Sequence, residues 1–118
     1  MKLAAHAKRM RIYTGERDRI GTRPLFEVVV EEARRRGIAG ATVFRGISGF
    51  GAHSRVHTNK ILRLSEDLPI VVEIVDHQEK FDELFDFLNT HIKEGLITLE
   101  DTTVLLYRHR QDSGQHQE

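Results

Sequence analysis

The residues with most chemistry to offer stand together in the middle of the chain. Arg45 leads into Gly46-Ile47-Ser48-Gly49-Phe50-Gly51, and His53, Ser54, Arg55, His57, Thr58, Asn59 and Lys60 follow. Closely spaced glycines let a backbone take positive φ and approach a ligand. Turn amides so exposed form a nest for an anion. Arg45 and Arg55 are charged donors suited to phosphate, and Phe50 can stack on a base or plug a subunit interface. His53 and His57, at i,i+4, share a face if the segment is helical and can contact phosphate or metal. Plainer readings stand beside these. Glycines at a strand end also make an ordinary turn or bulge. Two histidines fall short of the about three or four ligands of a stable metal site unless Glu66 or Asp67 joins them, so no metal is expected.

Composition narrows the function classes. The chain has 118 residues, enough for one domain with a modest core. Eighteen basic residues balance 18 acidic ones, so the formal charge is zero. A long phosphate footprint needs a basic surface, which argues against nucleic acid as a partner. The absence of cysteine removes disulfides, cysteine nucleophiles and thiolate metal sites, and suits a reducing cytoplasm. The N-terminal residues form no signal peptide, and no run approaches the ~18 apolar residues of a membrane span.

The surrounding elements must position the glycine-rich loop. Met10, Ile12 and Thr14 alternate with Arg11 and Tyr13, which predicts a first strand. Gly15 to Arg23 reads as loop, and Pro24 suits the first turn of a helix. Leu25, Phe26, Val29, Val30 and Ala33 recur at helical spacing, and Gly37 supplies the stop. Glu31 with Arg35 and Glu32 with Arg36 stand at the favourable i,i+4 spacing. Arg34-Arg35-Arg36 complements the negative end of the helix dipole. Residues 41–47 and 69–75 read as strands. Asp76 and Glu79 resemble a capping box. Phe81, Leu84, Phe85, Leu88 and Ile92 form a core stripe, with His77 and His91 on the surface beside it. Gly95 ends that helix. Ile97–Leu99 and Val104–Tyr107 read as a closing strand bent near Asp101. The expected organisation is a flexible N-terminus at 1–8, one domain at 9–108 with a long loop at about 49–66, and a flexible tail at 109–118. The order is strand-helix-strand, long loop, strand-helix-strand. That is an α+β, ferredoxin-like βαββαβ sandwich, an antiparallel sheet with two helices on one face. Its other sheet face stays open, so an oligomer is expected.

Three segments carry a family resemblance: Arg11-Ile12-Tyr13-Thr14-Gly15-Glu16, Gly40 to Gly51, and Leu68-Pro69-Ile70-Val71-Val72-Glu73. With them, residues 8 to 108 resemble a bacterial family of uncharacterised PII-like proteins. The resemblance implies a homotrimer with adenine nucleotide (ATP, ADP or AMP) in clefts between subunits. It also implies signalling through the long loop, which changes shape with the ligand and touches a target protein, such as a membrane transporter or an enzyme. By position, Arg45, Gly46, Gly49, Phe50, Gly51, His53 and Arg55 are the implied ligand contacts. Tyr107, Arg108 and Arg110 take the place of basic residues that PII proteins bring from a neighbouring subunit. The chain departs from true PII proteins in having no tyrosine in the loop and no glycine-lysine pattern in Glu94-Gly95-Leu96-Ile97.

Rival classes have less support in the residues. An acyl-phosphate or phosphate-ester hydrolase on this fold uses an arginine and an asparagine; Arg45 and Asn59 are present, but no motif ties them to one phosphate. No acid-base dyad or Ser-His-Asp pattern stands out, so no catalytic residue is assigned. A divalent-metal-binding trimer would rest on His53 and His57. Single-stranded RNA binding would use Tyr13 and Phe44 on the open sheet, but the neutral charge and the missing RNP pattern oppose it.

Overall fold

Alternation along one central strand decides the layering. The structure, a computed structural model, describes residues 6–51 and 67–110. Strand β1 (His6–Gly15) lies between β5 (Pro69–Asp76) and β6 (Leu96–Thr103), with β4 (Ala41–Arg45) outside β5. The order is β4-β5-β1-β6 and every pairing is antiparallel. Met10 pairs with Ile74 and Leu99, and Ile12 with Val72 and Ile97. Successive side chains point to opposite faces, so these residues share one side. Helices α1 (Leu25–Arg35) and α2 (Gln78–His91) cover it. Leu25, Val29 and Ala33 from α1 and Phe81, Leu84 and Leu88 from α2 join Met10, Ile12, Ile70, Val72 and Ile74 in one core. Each large aliphatic or aromatic side chain so buried stabilises the fold by about 1.5–3 kcal/mol. The expected ferredoxin-like sandwich is thus formed.

Several local expectations change. β1 starts at His6, so residues 6–8 are not part of a frayed N-terminus. They pair with Thr103, Thr102 and Asp101, and Lys8 forms an ion pair with Asp101. Polar edge residues gave no alternation to read there. Within the segment expected as loop, β2 (Arg19–Ile20) and β3 (Arg23–Pro24) form a small hairpin around Gly21, whose φ is 62°. β4 stops at Arg45 rather than running to residue 47. β6 is continuous through Asp101 and ends at Thr103, opposite His6. Val104–Tyr107 therefore adds no strand, because the ladder has run out of paired partner residues.

The expected Glu32–Arg36 pair forms, while other charged side chains differ from their expected partners. Asp76 is not a capping-box residue; His77 precedes α2 without a side-chain cap. The Asp76 carboxylate is fully buried and accepts hydrogen bonds from the Ala39 amide at 2.8 Å and the His77 amide at 2.6 Å. It ties the α1–β4 connection to the β5–α2 junction. Glu31 is gripped by both Nη atoms of Arg23 at 2.7 Å rather than by Arg35. Glu32 is buried and accepts from Arg35 and, at 2.7 Å, from Arg36. The arginine run thus serves a carboxylate inside its own helix as well as the dipole.

Two predictions follow from these buried carboxylates. Asp76→Ala strands the Ala39 amide and lowers stability by about 2 kcal/mol; an unchanged urea midpoint would contradict the tethering role. Burial pushes the Glu32 carboxyl up, but hydrogen bonds from Arg35 and Arg36 outweigh it, and the net pKa lies below the ordinary value. A depressed folded pKa gives stability that is present above the unfolded carboxylate range and lost as pH falls through the folded value. The urea midpoint therefore falls on acidification below about pH 4, and Glu32→Gln makes that fall shallower.

Candidate functional site

The base of the long loop is closed by glycine packing on a proline ring. The Gly46 amide donates to the Pro69 carbonyl at 2.8 Å, one residue beyond β4. Gly49 has φ 142°, and a Cβ there would stand 3.1 Å from Pro69 Cγ. A side chain at Gly49 would be strained by the backbone conformation and would crowd the Pro69 ring. Phe50 and Gly51 then face the end of β1. Together with the turn between α2 and β6 they enclose a cleft of about 390 Å³.

Three backbone segments can meet here because glycines remove the side chains between them. A Cβ on Gly95 would lie 2.8 Å from the Tyr13 carbonyl oxygen, and Gly95 has φ 153°. A Cβ on Gly15 would lie 2.7 Å from Asp67 Oδ1. Hydrogen bonds hold the approach. The Glu16 amide donates to the Leu68 carbonyl at 2.8 Å, and the Arg17 amide to Asp67 Oδ1 at 3.0 Å. The Gly15 amide donates to Asp18 Oδ2 at 2.9 Å.

The cleft walls are apolar and acidic. Tyr13, Phe50, Pro69 and Leu96 supply the apolar part, and Asp18, Asp67 and Glu94 the carboxylates. Phe50 is 65% exposed, so its ring is available to a ligand. Among the described residues lining the cleft there is no lysine, arginine or histidine. The buried Thr14 hydroxyl has no hydrogen-bond partner among the described residues. A group left so costs about 1–3 kcal/mol until something satisfies it.

The expected contacts divide into three groups. Arg45, Gly46, Gly49, Phe50 and Gly51 gather at the loop base, and Phe50 and Gly51 line the cleft. Arg45 Nη2 reaches Glu16 at 2.7 Å, so its charge is compensated within the chain. His53 and Arg55 lie outside the described residues, as do His57, Asn59 and Glu66. Tyr107 and Arg108 lie at the other end of the sheet. The Tyr107 hydroxyl donates to the Ala39 carbonyl at 3.5 Å, ahead of β4, whereas the cleft lies beyond its far end. The length of β4, roughly 17 Å, separates them within one chain. Sequence reasoning passed over Thr14, Gly15, Asp18 and Gly95 as cleft residues, since each reads locally as the end of an element or as loop. No group of three histidine or acidic residues among the described ones could hold a metal.

The open sheet face adjoins the cleft. Phe44 pairs with Val71, Val71 with Tyr13, and Tyr13 with Leu96, an apolar row across all four strands. Farther along, Arg11 Nε bonds Glu73 at 3.0 Å, and Arg9 bonds Glu100. The hydrogen bond from Arg9 holds the Glu100 carboxyl below its usual range. No helix among the described residues is long and apolar enough to cross a membrane. The glycine contacts generate a direct prediction. Gly95→Ala costs about 1–3 kcal/mol through strain and contact with Tyr13. At Gly51 a Cβ would meet nothing within 4 Å, so Gly51→Ala changes stability by less than about 0.5 kcal/mol. Thermal unfolding of the two variants checks the difference.

Comparison with known proteins agrees with this fold. The model of the DUF190 family, described as Uncharacterized ACR, matches residues 7–104. A UPF0166 protein of Aquifex aeolicus (strain VF5) is 39% identical over 98 residues, covering 83% of this chain and 92% of its own. A UPF0166 protein of Methanocaldococcus jannaschii is 36% identical over 99 residues, covering 83% and 91%. Among solved structures, the chain is similar to CPII, a nitrogen regulatory PII-like protein from Thiomonas intermedia K12, bound to ADP, AMP and bicarbonate. The TM-score is 0.60 at 18% identity, over 84% of this chain and 94% of that one. CPII bound to ADP, AMP and acetate gives 0.59 at 20% identity, over 88% and 92%. These structural likenesses speak to the fold, and the sequence matches to the family: the chain belongs to DUF190, and it has the ferredoxin-like fold of PII-like proteins.

Proposed function

We propose that this protein is a PII-like signalling regulator that binds an adenine nucleotide in the cleft at the base of its long loop. The observation that carries this reading is the cleft itself. Phe50 and Gly51 at the loop base meet Gly15 and Gly95 across a space of about 390 Å³. A ligand there touches the root of the loop, so a preference for one loop state would shift the loop between states. Phe50, Tyr13 and Leu96 suit the flat faces of a base. Thr14 offers a buried hydroxyl with an unmet hydrogen bond. The similar CPII structures hold ADP and AMP, which supports the ligand class.

Phosphates need cations that the described cleft walls lack. Arg45 at the rim, His53 and Arg55 in the loop, and Tyr107 and Arg108 from a neighbouring subunit are the proposed contacts. One chain holds Tyr107 and Phe50 apart, so the complete site is assigned to the junction of two subunits in a homotrimer. The apolar row from Phe44 to Leu96 supports association, because exposed apolar patches of this kind mark interfaces. Loop 49–66 would then present the bound state to a target protein, with a membrane transporter one candidate class, from a position in the cytoplasm.

Calorimetry against ATP, ADP and AMP tests the reading, alongside the mass in solution by light scattering. The expected result is saturable binding of at least one nucleotide to a species of three subunit masses. Phe50→Ala weakens binding by about tenfold, the scale of one lost stacking contact. Thr14→Val weakens it without lowering the stability of the free protein, because it removes a hydroxyl that has no partner. A folded protein that takes up none of the three nucleotides would overturn the proposal.

A further inference from the structure

Among the described residues, two further apolar surfaces besides the open sheet face are exposed, one after β6 and one beside it. The first is the arm that follows β6. Leu105 is 93% exposed and Leu106 is 67% exposed. The arm does not fold back on its own strand. Tyr107 reaches the Ala39 carbonyl, and the Ala39 amide is bonded to Asp76 at the end of β5. The arm therefore crosses from the β6 edge toward the β4 edge. Four residues reach roughly 13 Å at most, close to the roughly 14 Å of three inter-strand spacings, with a bend at Leu105. Arg108, His109 and Arg110 continue beyond.

The second surface is a groove of about 460 Å³ between α2 and β6. Phe81, Phe85, Ile97 and Leu99 line it, and Asp82 and Asp86 stand at its rim. Phe85 and Leu99 are each 42% exposed. β6 is also the outermost strand on this side, so one row of its backbone groups has no ladder partner. The arm matches the groove in order as well as in kind. Two leucines suit the apolar floor, and Arg110 suits the two aspartates at the rim.

We propose that the arm of one copy, residues 104–110, docks in the α2–β6 groove of the next. The chain's own arm leads away from its own groove, so the occupant is a second copy set edge to edge. Such a contact is head to tail, and repeated around a rotation axis it closes a ring. The inference deepens the homotrimer reading and rests on it; it adds which segments meet. It also gives the crossing of Arg108 into a neighbour a mechanical basis, since Leu105 and Leu106 anchor the segment that carries it.

The chain has no cysteine, so an engineered pair is unambiguous. Leu106→Cys combined with Phe85→Cys is oxidised in the assembled full-length protein and run on denaturing gels without reductant. Head-to-tail docking gives linked dimers and trimers that collapse to monomer on reduction. A disulfide within one chain, seen as loss of free thiols without a mass increase, overturns the proposal, and so does the absence of any disulfide. The exposed-residue variant Leu105→Asp with Leu106→Asp gives a second reading. Its circular dichroism stays unchanged while subunit dissociation rises at least tenfold; an unaltered assembly overturns the proposal. A wild-type trimer that fails both tests removes the arm placement and leaves the homotrimer intact. A wild-type monomer at all concentrations removes both.

Discussion

Each residue of β1 is committed in three directions at once, and the rest of the molecule is arranged around that commitment. The strand has a neighbour on either side, so a one-residue slip would break both ladders and turn every side chain to the wrong face. Met10 and Ile12 must lie under the helices; Arg9, Arg11 and Tyr13 must then lie on the open face. The helices follow because the apolar stripes of α1 and α2 have only this one surface to cover. The charged network follows because Glu73 and Glu100 are brought beside the two arginines by the same register.

The cleft is a consequence of where that strand ends. Gly15 finishes β1 beside the root of the long loop and the turn before β6. Close packing at such a junction normally fills the space with side chains. Here Gly15, Gly49 and Gly95 let Asp67, the Pro69 ring and the Tyr13 carbonyl approach closely, so the segments meet around the cleft without filling it. The result is a cleft lined by apolar side chains, glycines and carboxylates. On the proposed function, such a cleft would discriminate by shape and by where cations are supplied from outside, which would connect ligand binding to subunit assembly.

The two faces and edges of the sheet are unequal. The helix-covered face is complete within one chain. The open face carries an apolar row next to the cleft and a charged network farther away, a division that sets orientation as well as contact. The edges differ too: an exposed apolar segment follows β6, and an apolar groove lies beside that strand.

Much of this was legible in the residues alone. The alternation of Met10 and Ile12, the stripe from Phe81 to Ile92, the glycine gate and the long polar loop determine the order of elements and the ferredoxin-like sandwich, because periodicity is a local property. Gly46 to Gly51 was legible as a loop base for the same reason. What only the tertiary structure decided was long-range. Asp76 looked like a helix cap, and the fold made it a buried anchor for Ala39. Gly15 and Gly95 looked like the ends of elements, yet they form the far wall of the cleft from Gly51. Tyr107 was expected to join Phe50 only from a neighbouring subunit, and within one chain the fold puts the length of β4 between them. Spacing along a chain constrains neighbours a few residues apart; residues 15, 67 and 95 gather around one cleft only once β1 has drawn both halves into one sheet.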